Sequence, residues 1–138
     1  VLVGDSAADG DGCSIYGSVL FYGDRFRLWY QAWPQENDGT DSLCIGCVES
    51  DDGIHWTRPS HGLIERGGSR DNHLTGLPLH APSVIIDPHV DDDRRYRAFG
   101  YVHPERAVGY HVPSDGRGYY TAHSADGLRW TTEPGPYV

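Results

Sequence analysis

The 138 residues carry 20 acidic against 11 basic side chains, a formal charge of −9, which argues against a nucleic-acid or anionic-membrane surface. Eighteen Gly, nine Pro, nine Tyr and four Trp, beside 38% hydrophobic residues, are the composition of a turn-rich, aromatic, all-β chain rather than a helix bundle. The length allows one ordinary domain or part of a larger one, no apolar run approaches the ~20 residues of a membrane-spanning helix, and no signal peptide is visible.

In chain order, the first dozen residues, "VLVGDSAADGDG", read as the tail of a preceding unit or as a linker. Strands are then predicted over 17–23 and 25–33, where "SVLFYG" and "RFRLWYQAW" are rich in β-branched and aromatic residues and "YGDR" supplies the hairpin turn. A third strand is predicted over 42–50 and a fourth over 54–59, joined by an Asp-Gly turn. The third holds Cys44 and Cys47 as C-I-G-C; positions three apart on a strand point to opposite faces, so buried thiols are expected rather than half of a zinc site. Four more strands are predicted over 82–87, 94–102, 118–124 and 128–133, with "DPHVDDDRR" as the longer first hairpin.

The second set repeats the first. "SDDGIHWT" (Ser50 to Thr57) returns as "SADGLRWT" (Ser124 to Thr131) at an offset of 74, "RFRLWY" as "RYRAFG" at 70, and "GSVLF" as "PSVII" at 65. Order is kept while the offset grows only between elements, so insertions fall in the connections of a repeated supersecondary unit. Ser50, Asp52, Gly53 and Trp56, with Ser124, Asp126, Gly127 and Trp130, then serve the turn: Gly accepts positive φ, and the Ser and Asp oxygens accept from turn N–H groups.

"YGSVLFYGDRFRLWYQAW", "DNHLTGLPLHAPSVIIDP" and the two Ser-x-Asp-Gly-x-x-Trp-Thr turns resemble the five-bladed β-propeller glycosidase superfamily, which includes invertase-like fructosidases, arabinanases and xylosidases. The turn is also similar to the sialidase Asp-box, one residue shorter. The likeness covers residues 16 to 134. It implies an all-β fold of two consecutive four-stranded antiparallel propeller blades, about 16–66 and 80–134, in a fragment of a five-bladed propeller whose remaining blades lie elsewhere in the same chain. The Asn-Asp-Pro-Asn and Arg-Asp-Pro motifs of invertase-like members do not occur, so no catalytic residue carries over by motif.

The resemblance places a ligand pocket on the face that receives the entries to the inner strands and the connections from second to third strand. Glycoside hydrolysis uses two carboxyl groups, and Asp71, Glu36 and Glu105 are the candidates on that face. Tyr16 and Trp33 are expected to stack on a sugar, and His80, Arg70, Asn72 and His103 to bind hydroxyls. Asp71 followed by Asn72 also reads as an Asx-type turn, and Glu36 and Glu105 as solvated loop carboxylates. The function expected is glycoside hydrolysis by paired carboxylates on a carbohydrate ligand; the alternative is a propeller that binds sugar or protein without cleaving. Some members of the superfamily hold calcium near the axis, but no ligand pattern here asks for one, and no cofactor is expected.

Overall fold

The computed structural model describes residues 4, 7–10, 12–33, 44–104 and 116–137. Strands β1 (Gly12–Tyr22), β2 (Arg25–Trp33) and β3 (Cys44–Ser50) form one antiparallel sheet in that order, preceded by a 3-10 turn at Ala7–Asp9. A second antiparallel sheet takes β4 (His80–Ile86), β5 (Tyr96–Val102), β6 (Gly118–Ser124) and β7 (Thr131–Thr132). The chain is thus all-β, in sheets of three and four strands rather than two of four.

The two sheets share one hydrogen-bond register. Val19 opposes Leu28 as Val84 opposes Ala98, and Phe26 opposes Ser50 as Tyr96 opposes Ser124. Even the outer edge agrees, since Glu49 bridges Thr57 as His123 pairs with Thr131. The sequence repeat is therefore a repeat of backbone pairing, with side chains kept on matching faces because register fixes which face each residue takes.

The missing strand has a specific cause. In the second sheet the chain past Thr131 continues along β6, with Glu133 N donating to Thr121 O and Tyr137 N to Tyr119 O, both 2.9 Å. In the first sheet Cys47 and Ile45, at the positions of Thr121 and Tyr119, pair instead with His73 and Thr75: Cys47 N donates to His73 O at 2.9 Å and Thr75 N to Ile45 O at 2.8 Å. Residues 58–72 are thus an excursion set into the fourth strand, which exists as two halves on the edge of β3. Mutual bonds between Arg66 and Ser69 close the tip of the excursion around Gly67 and Gly68, both at positive φ.

The Asp-Gly turns are built alike. Ser50 Oγ accepts from Gly53 N at 2.9 Å, and Asp52 Oδ1 accepts from the N–H groups of Ile54 and His55 at 2.8 Å. Ser124 Oγ accepts from Gly127 N at 2.9 Å, and Asp126 Oδ1 from Leu128 and Arg129 at 2.8 Å. Both glycines sit at φ 75°. The side-chain oxygens do for the turn what a cap does for a helix, satisfying donors that the strands leave unpaired.

The sheets stack face to face. Trp29, Ile45 and Cys47 of the first meet Val84, Tyr96, Ala98 and Ala122 of the second, with Leu77 and Leu79 from the connection. Trp29 Nε1 donates to Gly127 O at 2.8 Å and Arg27 Nη1 to Asp126 O at 2.9 Å, so the second turn is locked onto the first sheet. Between β4 and β1, Val84 N donates to Ser18 Oγ at 2.8 Å. Cys44 lies on the other face, with Leu28, Tyr30, Val48 and Leu74, so the two cysteines of C-I-G-C are separated by the sheet itself.

Candidate functional site

The first strands of the two sheets, β1 and β4, lose regular pairing at the same end. β1 shifts register between Ser14 and Ser18, and β4 between His80 and Ser83. At Gly17 a Cβ would stand 2.0 Å from Trp29 O, so only glycine lets the strands close there. In β4 the shift is taken by Ala81 at φ 48°, a left-handed conformation that costs a non-glycine residue about 1–2 kcal/mol. Its N–H donates to the buried Gln31 Oε1 at 3.3 Å, which holds the kink. These bulges turn Tyr16 and His80 out of strict alternation, toward the ends of β2 and β5.

Four of the sequence candidates meet there as a series of rings. Tyr16 lies edge-on to Trp33 at 6.3 Å between centroids, Trp33 to His80 at 6.1 Å, and His80 to His103 at 5.6 Å. Tyr101 continues the series at 4.7 Å from His103, then Tyr119 at 5.3 Å, and Phe99 stacks on Tyr119 at 5.2 Å. Tyr101 carried a signal, because period-2 alternation along β5 puts it on the face of Phe99.

Trp33 is fixed from several sides. Its Nε1 donates to Ser14 Oγ at 2.9 Å, and its carbonyl accepts from Arg66 Nη2 at 2.8 Å. Gly10 bridges it, at φ 64°, where a Cβ would stand 1.6 Å from Trp33 O. Beside this contact lies a buried polar group that sequence reading missed. The fully buried Asp9 accepts from the Tyr30 hydroxyl; His73 Nε2 lies 2.5 Å from that hydroxyl and 3.2 Å from Asp9 Oδ1, and Arg58 Nη2 lies 3.5 Å from Oδ2. Burial, then the hydrogen bond and charge of Asp9, push the Tyr30 pKa far above 10, so it remains a neutral donor. The group ties residues 7–10 and the excursion to β2, and "VLVGDSAADGDG", read as a tail, is in part a support for Trp33.

The remaining candidates are not among these ring contacts. Arg70, Asp71 and Asn72 belong to the excursion. Arg70 reaches Leu63 O at 3.4 Å and Glu65 at 3.9 Å, and the exposed Asp71 takes Ser69 Oγ on its backbone N–H at 3.0 Å. Asn72 is buried: its amide donates to Ile64 O at 2.8 Å and Ser69 O at 3.1 Å, and its Oδ1 accepts from Leu74 N at 3.0 Å. This is the Asx-type turn of the bland reading, formed by Asn72. Glu36 and Glu105 fall outside the described residues. Among the described residues, no group of three His, Cys, Asp or Glu side chains is placed to hold a metal ion.

At the opposite end of β3, Glu49 receives Arg25 Nη1 at 2.9 Å and Arg27 Nε at 3.0 Å. Burial works against its charge, but the two guanidinium groups outweigh that and hold its pKa below the ordinary 4.5. Comparison with protein-family models, with curated proteins and with solved structures returns no match.

Proposed function

We propose that the two sheets are consecutive blades of a β-propeller of glycosidase type, and that the ring series at the bulged end of β1 and β4 is the wall of a carbohydrate site. The observation that carries this reading is the meeting of Tyr16, at the bulge of β1, with Trp33, His80 and His103, at the ends of β2, β4 and β5. Aromatic faces pack against the C–H faces of a sugar, while imidazole nitrogens exchange hydrogen bonds with its hydroxyls. The connection leaving Trp33 carries Glu36 and the one leaving His103 carries Glu105, so the acid and base of a hydrolysis are assigned to these two. One protonates the leaving oxygen; the other activates water or attacks the anomeric carbon.

The second reading is a propeller that binds sugar without cleaving it: Asp71 is exposed, and the bond it makes is a local one from its backbone N–H to Ser69 Oγ. Assay against a panel of gluco-, xylo-, arabino- and fructo-oligosaccharides separates the two. Reducing-end release that falls at least 100-fold in Glu36→Gln and in Glu105→Gln supports hydrolysis. An oligosaccharide bound by the natural chain, recovered intact and lost in Trp33→Ala, supports binding alone. Neither binding nor release across the panel overturns both.

A further inference from the structure

Gln31 is fully buried, and both ends of its amide are used. Its Nε2 donates to Cys44 O at 3.4 Å, within its own sheet, and its Oε1 accepts from Ala81 N at 3.3 Å, across to the second sheet. Only one orientation of the amide does both, because Cys44 offers an acceptor and Ala81 a donor. The residue it reaches is strained. Ala81 is at φ 48°, precedes Pro82, and sits in a bulge where Ala81 and Pro82 together oppose Gly100, since His80 pairs with Tyr101 and Ser83 with Phe99. A Cβ at Gly100 would stand 2.9 Å from His80 O and 3.3 Å from Pro82 Cα, so the kinked strand lies closer to β5 than a side chain there allows. Backbone strain persists only where the surroundings over-determine it, and such places cluster at ligand sites.

We propose that Gln31 is a positioning residue for His80: by holding Ala81 left-handed from the first sheet, it sets the imidazole between Trp33 and His103, at 6.1 Å and 5.6 Å between centroids. Its consequence for a ligand rests on the reading of the ring series as the wall of a carbohydrate site. The contribution of β4 to that wall is then governed by a side chain of β2, so the two halves come together only when the sheets pack. Without the acceptor, Ala81 relaxes toward the extended backbone of the rest of β4. A turn about its φ swings His80 relative to the strand that follows.

Gln31→Met keeps an unbranched side chain and removes the acceptor. In the full natural polypeptide two readouts follow it: the His80 imidazole signal in NMR spectra of histidine-labelled protein, assigned by its loss in His80→Gln, and the Kd for the oligosaccharide of the panel that binds best. Gln31→Met is expected to shift the His80 signal and to weaken binding about tenfold. Adding Ala81→Gly is expected to restore both in good part, because glycine holds a left-handed φ without a brace. A side chain that merely filled the core would not be rescued from another strand. Ala81→Val, at an exposed position with Gln31 intact, is expected to shift the signal and weaken binding too, because a β-branched residue resists positive φ; it carries the test if Gln31→Met does not fold. A His80 signal unmoved in the folded variant, binding undiminished in it, or a loss that Ala81→Gly does not rescue overturns the proposal. A signal that moves and is rescued, in a polypeptide that binds none of the panel, supports the positioning role and overturns the carbohydrate reading alone.

Discussion

Gly53 and Gly127 offer a matched pair for testing whether the second turn is locked against the first sheet. Both sit at φ 75° in turns with the same hydrogen bonds, so alanine meets the same backbone strain in each. That strain is about 1–2 kcal/mol, partly offset by about 0.4–1 kcal/mol from the stiffer unfolded chain. The surroundings differ. A Cβ at Gly53 would lie 3.5 Å from Phe26, an ordinary contact, whereas at Gly127 it would lie 2.9 Å from Trp29 Cζ2 and 3.2 Å from Tyr96. Trp29 is fully buried and held by its bond to Gly127 O, so the ring has nowhere to move. Overpacking of that kind adds about 1–3 kcal/mol. Gly53→Ala is therefore expected to cost about 1 kcal/mol and Gly127→Ala about 2–4 kcal/mol. Urea unfolding followed by tryptophan fluorescence reads both. Equal losses would refute the reasoning, because they would mean that Gly127 is not pressed against the indole.

Three further outcomes are expected. Tyr30→Phe leaves Asp9 and His73 buried without the shared hydroxyl, and is expected to lower unfolding stability by about 1–3 kcal/mol, read from urea midpoints. Stability is expected to fall with acid in two stages, because burial lowers the pKa of His61 from 6.5 while Glu49 and Asp126 lie below 4.5 and 3.8. For Asp126 burial opposes the shift, and the Arg129 and Leu128 N–H groups outweigh it. All three bind fewer protons folded than unfolded, so their contribution is complete above the ordinary values and is lost as pH drops through the folded ones. Urea midpoints against pH should lose the first stage in His61→Gln and shrink the second in Glu49→Gln. Finally, burial raises the Cys47 thiol to about 12, so a disulfide-exchange reagent is expected to modify Cys13 and leave Cys47 untouched until the chain unfolds.

The repeat was legible because its carriers are local: Asp-Gly with flanking Ser, and strands of aromatic and β-branched residues, announce themselves whatever lies between them. The meeting of Tyr16, Trp33, His80 and His103 was legible for the same reason, since the repeat sets where Trp33, His80 and His103 end their strands, while Tyr16, expected just before a strand, lies inside β1 at its bulge. The fourth strand of the first unit was not. Residues 54–59 read as a strand, but only Thr57 bridges, and pairing resumes at His73 after an excursion that no period marks. Arg70, Asp71 and Asn72, expected at the entry to the strand over 82–87, belong to that excursion. Asp9 was hidden differently: an acid in a Gly- and Ala-rich opening reads as solvated, and only tertiary contact with Tyr30 and His73 buries it.

The interrupted edge strand also makes covalent continuity and structural continuity separable in this molecule. Thr57 and His73–Thr75 grip β3 through their own hydrogen bonds, and the Gly67–Gly68 tip between them is exposed. A cut at that tip would free two chain ends and leave each half of the strand in place, since the grip does not pass through the peptide bond removed. Such a cut would part residues 1–67 from residues 68–138 in the chain while the bonds of His73 and Thr75 to β3 and the sheet contact around Trp29 still join them.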